Sequence, residues 1–173
     1  MTRPINAIIN LTNLKFNLEK LKGLTSSKLI VVAKANAYGH DLGKCLNILK
    51  IADGIAVLDL KDAINVRKSG YKGLILLLEG FFKQSELTKI IYYEISPVIH
   101  SDYQVETLKK NSELILKNVF IKFNSGMNRL GFDLSRNKEL LSFFKQKVSK
   151  KNIFFMTHFA DADSSRGIKW QLN

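Results

Sequence analysis

The stretch VVAKANAYGHDLG, residues 31–43, opens as an apolar β-run and then breaks into polar tips around Gly39. Two chain reversals compete at such a point. A dinucleotide-binding doubly wound sheet needs a G-x-G-x-x-G turn after its first strand. AKANAYGHDLG is not that turn, so the stretch favours a (β/α)8 barrel over an open doubly wound sheet.

Working outward, short apolar runs recur at LIVVAK (29–34), GIAVLD (54–59), LILLLE (74–79), ISPVIH (95–100), VFIKFN (119–124) and IFFMTH (153–158). Most are apolar throughout instead of alternating, the pattern of parallel strands buried on both faces. Helix-like segments fall between them at 41–51, 60–69, 83–93, 102–111 and 136–149, and one at 12–22 precedes the first strand. Asp41 suits an N-cap, Thr12 or Asn13 suits another, and Gly70 suits a helix stop. The reading is one α/β domain over residues 1–173: an incomplete (β/α)8 TIM-type barrel of about six parallel βα units, lacking the last strands. Six open strands leave two unpaired edges, which a second copy or a further segment would have to cover.

Composition narrows the function classes. Hydrophobic residues make up 46% and charged residues 24%, a globular balance. No apolar run approaches a membrane span, and MTRPINAIINLTNLKF has no uninterrupted signal-type apolar region. A single cysteine, Cys45, suits a reducing compartment, so a cytoplasmic location is expected. The net charge of +12, from 27 basic and 15 acidic residues, raises nucleic acid as a partner. The lysines are spread along the chain without interleaved aromatics, so a solvated basic surface is the better reading. Neither a nucleic-acid partner, a membrane nor a metal is expected.

Chemistry in β/α folds gathers at the carboxyl ends of strands. Lys34, His100, Asn124 with Arg129, and His158 all fall there. Lys34 stands out: an amine at the end of an apolar strand either snorkels from the rim into water or is partly desolvated, more nucleophilic and able to form a Schiff base with a carbonyl cofactor. His40 is read as leading into the next helix, His100 has only its position to recommend it, and Cys45 is read as packing.

AKANAYGHDLG closely resembles the cofactor-lysine motif of the alanine racemases. Two more segments match in order: KFNSGMNRLGF, residues 122–132, and MTHFADAD, residues 156–163. The AKAN portion is also similar to related barrel-type amino-acid decarboxylases, whereas AYGH points to racemases. The resemblance implies pyridoxal 5′-phosphate as cofactor, alanine as substrate and a homodimeric full-length protein serving peptidoglycan synthesis. It implies that Lys34 carries the cofactor and is the catalytic base on the D-alanine side. Tyr38 would meet the cofactor phosphate, Arg129 the cofactor hydroxyl and the substrate, and His158 the pyridine ring. Lys122 matches a lysine that is carbamylated in some members. Asn124 and Ser125 depart from the family pattern, which has an acidic residue and a threonine there.

The resemblance also implies a longer protein, with a C-terminal β-domain. The phosphate-binding serine, the arginine facing the pyridine nitrogen and the opposing tyrosine base all match positions outside these residues. The expectation is that this chain alone is not a competent racemase. Two other readings stand beside it: a non-catalytic pyridoxal-phosphate-binding barrel protein, and a related decarboxylase.

Overall fold

The computed structural model describes residues 4–148 and 150–172. Strands and helices alternate along the chain, and the six parallel strands follow one another in the order β1 to β6. This is the connection pattern of a (β/α)8 barrel carried through six units, as the unbroken apolar runs implied. The chain divides into two compact units, residues 1–75 and 76–173, with the boundary inside β3 (Leu74–Leu77).

In the first unit α1 (Leu11–Gly23) precedes β1 (Ile30–Val32). Its N-cap is Asn10, not Thr12 or Asn13: the Asn10 side chain accepts from the Asn13 N–H at 2.9 Å. The helix starts one residue earlier than expected, so the capping oxygen must stand earlier too. β1 pairs in parallel with β2 (Gly54–Val57), with Val31 opposite Ile55. Between them α3 (Leu42–Leu49) carries Leu42, Cys45, Leu46 and Leu49, one helical stripe that is wholly buried. Asp41 caps it through Lys44 N–H, as expected. α4 (Leu60–Lys68) is capped by Asp59 and stops before Gly70, whose φ is +88°.

The second unit holds β4 (Ser96–Ile99), β5 (Val119–Lys122) and β6 (Ile153–Met156). Its helices are α5 (Leu87–Tyr92), α6 (Asp102–Lys110), α7 (Asn137–Phe144) and the short α8 (Lys169–Leu172). α7 ends earlier than the expected 149, and residue 149 itself lies outside the described residues, as do Met1–Arg3 and Asn173. Val98, Ile99, Val119 and Ile121 are fully buried, with Leu108, Leu140 and Phe144 packed from the helices. Each such side chain contributes about 1.5–3 kcal/mol by leaving water.

Burial on both faces holds for β2, β4 and β5 but not for β1 or β6. Val32 and Phe155 stay substantially exposed. These two strands are the outermost in the order, so each has a neighbour on one side only.

Candidate functional site

Every strand-end residue singled out from the sequence lies just past its strand. In the first unit Ala33 extends the ladder, its N–H donating to Ala56 O at 2.8 Å. Lys34 follows and opens α2 (Lys34–Tyr38), which is not an ordinary helical turn. Ala35, Asn36, Ala37 and Tyr38 have φ of 50°, 54°, 54° and 54°, a left-handed turn built without glycine. Each such residue costs roughly 1–2 kcal/mol against the right-handed form.

The turn is held by its own bonds. Ala37 N–H donates to Ala33 O at 3.1 Å and Gly39 N–H to Ala35 O at 3.0 Å. Asn36 Oδ1 accepts from Leu42 N–H at 2.8 Å, tying the turn to α3. His40 Nδ1 donates to Ala37 O at 2.8 Å. Backbone strain of this size persists where surrounding structure over-determines it, and it clusters at functional sites.

Lys34 Nζ lies 5.9 Å from the centre of the Tyr38 ring. It makes no ion pair or hydrogen bond among the described residues, so a half-buried amine is left available at the end of β1. A cavity of about 450 Å³ in this unit has Val32, Ala37, Tyr38 and His40 in its wall together with Asn13 and Asn17 of α1. Lys34 is not part of that wall.

The second unit brings Lys122, Asn124, Ser125, Arg129, Thr157 and His158 together around one narrow cleft. The loop carrying Arg129 is closed at its base: Phe132 N–H donates to Lys122 O and Asn124 N–H to Phe132 O, both at 2.9 Å. Gly131, φ +124°, permits that closure, since a Cβ there would stand 2.7 Å from Asn124 N. Asn124 organises the interior of the loop. Its Oδ1 accepts from the N–H groups of Gly126 and Asn128, both at 3.0 Å, while its Nδ2 donates to Asn128 Oδ1 at 2.9 Å. A carboxylate at this position would keep the two accepted bonds and lose the donated one. The pair Asn124–Asn128 is therefore the local counterpart of the departure noted in FNSGM.

Lys122 faces inward and is buried, not an outward surface lysine. Burial pushes its pKa below the ordinary lysine value, the charge of Arg129 pushes it further, and Glu79 acts in the opposite sense. Arg129, Tyr38 and His158 are exposed. Cys45 is packed inside α3, and burial raises its thiol pKa.

His100 has more structure around it than its position suggested. Its Nε2 is 3.0 Å from Glu79 O, so Nε2 donates to that carbonyl. Its Nδ1 is buried without a hydrogen-bond partner among the described residues. Thr157 and Gln171 also reach this end of β5 and β6 and were not singled out from the sequence. Thr157 stood beside His158 in MTHFADAD, but Gln171 carried no local signal. Among the described residues no group of three metal-ligating side chains is assembled, and no helix is long and apolar enough to cross a membrane.

These elements match known proteins along nearly their whole extent. A family model described as alanine racemase, N-terminal domain, matches residues 9–173. The alanine racemase of Nitrosomonas eutropha is 40% identical over 166 residues, which is 95% of this chain and 46% of its own length. The catabolic alanine racemase of Klebsiella aerogenes is 38% identical over 169 residues, 97% of this chain and 48% of its own length. The crystal structure of biosynthetic alanine racemase from Pseudomonas aeruginosa superposes with a TM-score of 0.85 at 32% identity, covering 94% of this chain and 46% of that one. The chain thus spans about half the length of the curated relatives it matches. By the family model that covers residues 9–173 and by its fold, this chain belongs to the alanine racemase family.

Proposed function

We propose that this chain is the cofactor-lysine half of a cytoplasmic, pyridoxal-phosphate-dependent alanine racemase. In this reading it acts on L- and D-alanine, makes D-alanine for peptidoglycan, and works as a homodimer in its full-length form. The observation that carries the reading is Lys34: an amine with no ionic partner, held at the end of β1 by a strained left-handed turn.

The residues present suit the cofactor. An aldehyde calls for an available amine, which Lys34 supplies. Anionic oxygens call for fixed donors, which the phenol of Tyr38 and the guanidinium of Arg129 supply. When bound, pyridoxal phosphate supplies the electron sink that makes an amino acid's α-hydrogen acidic. The rest is work for the protein. Lys34 Nζ would hold the cofactor, and its amine would take or return the α-proton on one side. Arg129 orients the cofactor hydroxyl and the substrate carboxylate by charge-assisted hydrogen bonds. His158 meets the pyridine ring.

Lys122 belongs in the same account. Its lowered pKa raises the share of neutral amine, whose nitrogen can bond to the carbon of carbon dioxide and release a proton to give a carbamate. That change replaces a cation repelled by Arg129 with an anion attracted to it.

Racemisation needs proton transfer on both sides of a planar carbon, and Lys34 serves one. The purified chain is therefore mixed with pyridoxal phosphate, reduced with borohydride and mapped by mass spectrometry. Label confined to Lys34, and abolished by Lys34→Ala, is the expected result. Scattered or absent label in a folded chain would overturn the reading. Label without exchange of alanine's α-hydrogen for solvent deuterium would favour a non-catalytic cofactor carrier instead.

A further inference from the structure

Gln171 sits in α8, distant in sequence from both loops of the Arg129–His158 cleft. Its Oε1 accepts from Ala160 N–H at 2.8 Å. That contact settles which end of the amide is oxygen. Its Nε2 then faces three oxygens: Ser125 Oγ and His158 O at 3.1 Å, and Ser125 O at 3.2 Å. One side chain thus spans the loop after β5 and the loop after β6.

Counting donors gives the contacts a direction. Thr157 donates its only hydroxyl proton to Phe123 O at 3.0 Å. The 2.6 Å contact between Ser125 Oγ and Thr157 Oγ1 therefore carries the proton of Ser125. Ser125 Oγ in turn accepts from Gln171. The result is a single polarised chain, from Gln171 through Ser125 and Thr157 to the Phe123 carbonyl, in which each bond strengthens the next. The residue beside Gln171 docks on the same loop. Trp170 lies against Gly126, whose φ is +119°, and a Cβ there would stand 2.4 Å from Trp170 Cζ3. Trp170 Nε1 is buried without an acceptor among the described residues.

We propose that Gln171 is a positioning residue: it clasps the Ser125 loop to the His158 loop and so holds Arg129 and His158 in place. The link to catalysis rests on the reading of those two residues as cofactor contacts. Gln171 touches neither reacting atoms nor cofactor in this role.

The test uses the full chain with Gln171→Met, which keeps the length and loses every hydrogen bond, and Gln171→Glu, which keeps only the acceptor and sets a carboxylate against three oxygens. Amide hydrogen exchange is read without cofactor. Both variants are expected to exchange about tenfold faster or more at residues 125–128 and 158–160, with β2 and β4 unchanged, as for a local opening. The His158 ring resonances are expected to shift with them. Unchanged exchange in the two loops would overturn the clasp. Equal acceleration in β2 and β4 would overturn it too, since Gln171 would then be only a general stabiliser. Ser125→Ala added to Gln171→Met should change the exchange little further, and fully additive effects would break the proposed chain. In a wild-type chain that labels at Lys34, half-saturation by pyridoxal phosphate should rise about tenfold in Gln171→Met, a coupling of ordinary size; an unchanged value would overturn the positioning role. A wild-type chain that takes no cofactor would sink the proposed function alone, and the exchange pattern would still decide the clasp.

Discussion

Lys122 closes β5 and is only 6% exposed, and its ammonium is repelled by Arg129. Its folded pKa lies below the unfolded value, so between those two values the unfolded chain binds more protons and stability rises with pH. Below that window the cost of burying the charge is fully present. In bicarbonate-free buffer Lys122→Met should therefore raise the unfolding free energy at pH 7, measured by urea titration, by about 1 kcal/mol. The advantage over the wild type should shrink as pH rises through the lowered folded value towards the ordinary lysine range. A gap that stays constant from pH 7 to pH 10 would show that Lys122 does not titrate differently in the fold. Added carbon-13 bicarbonate offers a second check, through a carbamate signal lost in Lys122→Met.

At the scale of elements, the candidate residues of each unit sit on a loop with unusual backbone. The left-handed α2 turn is built from Ala35, Asn36, Ala37 and Tyr38, and no residue type there announces it. The sharp reversal after Lys34 was expected; its left-handed path was not, because runs of non-glycine residues seldom take it. The Arg129 loop is different, since Gly131 marks its closure in the sequence. Gly131→Ala should destabilise the chain by about 2 kcal/mol, from backbone strain and a clash with Asn124 N. Thermal unfolding measures the loss, and loop closure through Phe132 should fail with it. A midpoint equal to the wild type would mean that the loop closes in another way.

At the scale of the whole molecule, the 173 residues contain one candidate proton carrier at the strand-end lysine and span about half the length of their relatives. Assayed by themselves they are expected to take up pyridoxal phosphate at Lys34 without interconverting L- and D-alanine. Chiral analysis of alanine after prolonged incubation checks this, and formation of the opposite enantiomer above a Lys34→Ala control would refute it. The net charge of +12 should produce only weak retention on DNA, lost by about 0.2 M salt, because spread lysines release few counterions together.

The strand and helix order was legible because it rests on local pattern: apolar runs of strand length, separated by capped helical stretches, leave few topologies open. The motif around Lys34 and the segments around Arg129 and His158 were legible for the same reason, each being contiguous. Tertiary structure alone decided the burial of Lys122, since a lysine in VFIKF reads equally well as facing either way. It alone set the donor of Asn124 against Asn128, the burial of His100 Nδ1, and the reach of Gln171 across 46 residues to Ser125. Those features depend on which side chains meet after the chain has folded. Hydrophobic periodicity fixes which face a residue occupies, and it carries no information about the polar partner waiting there.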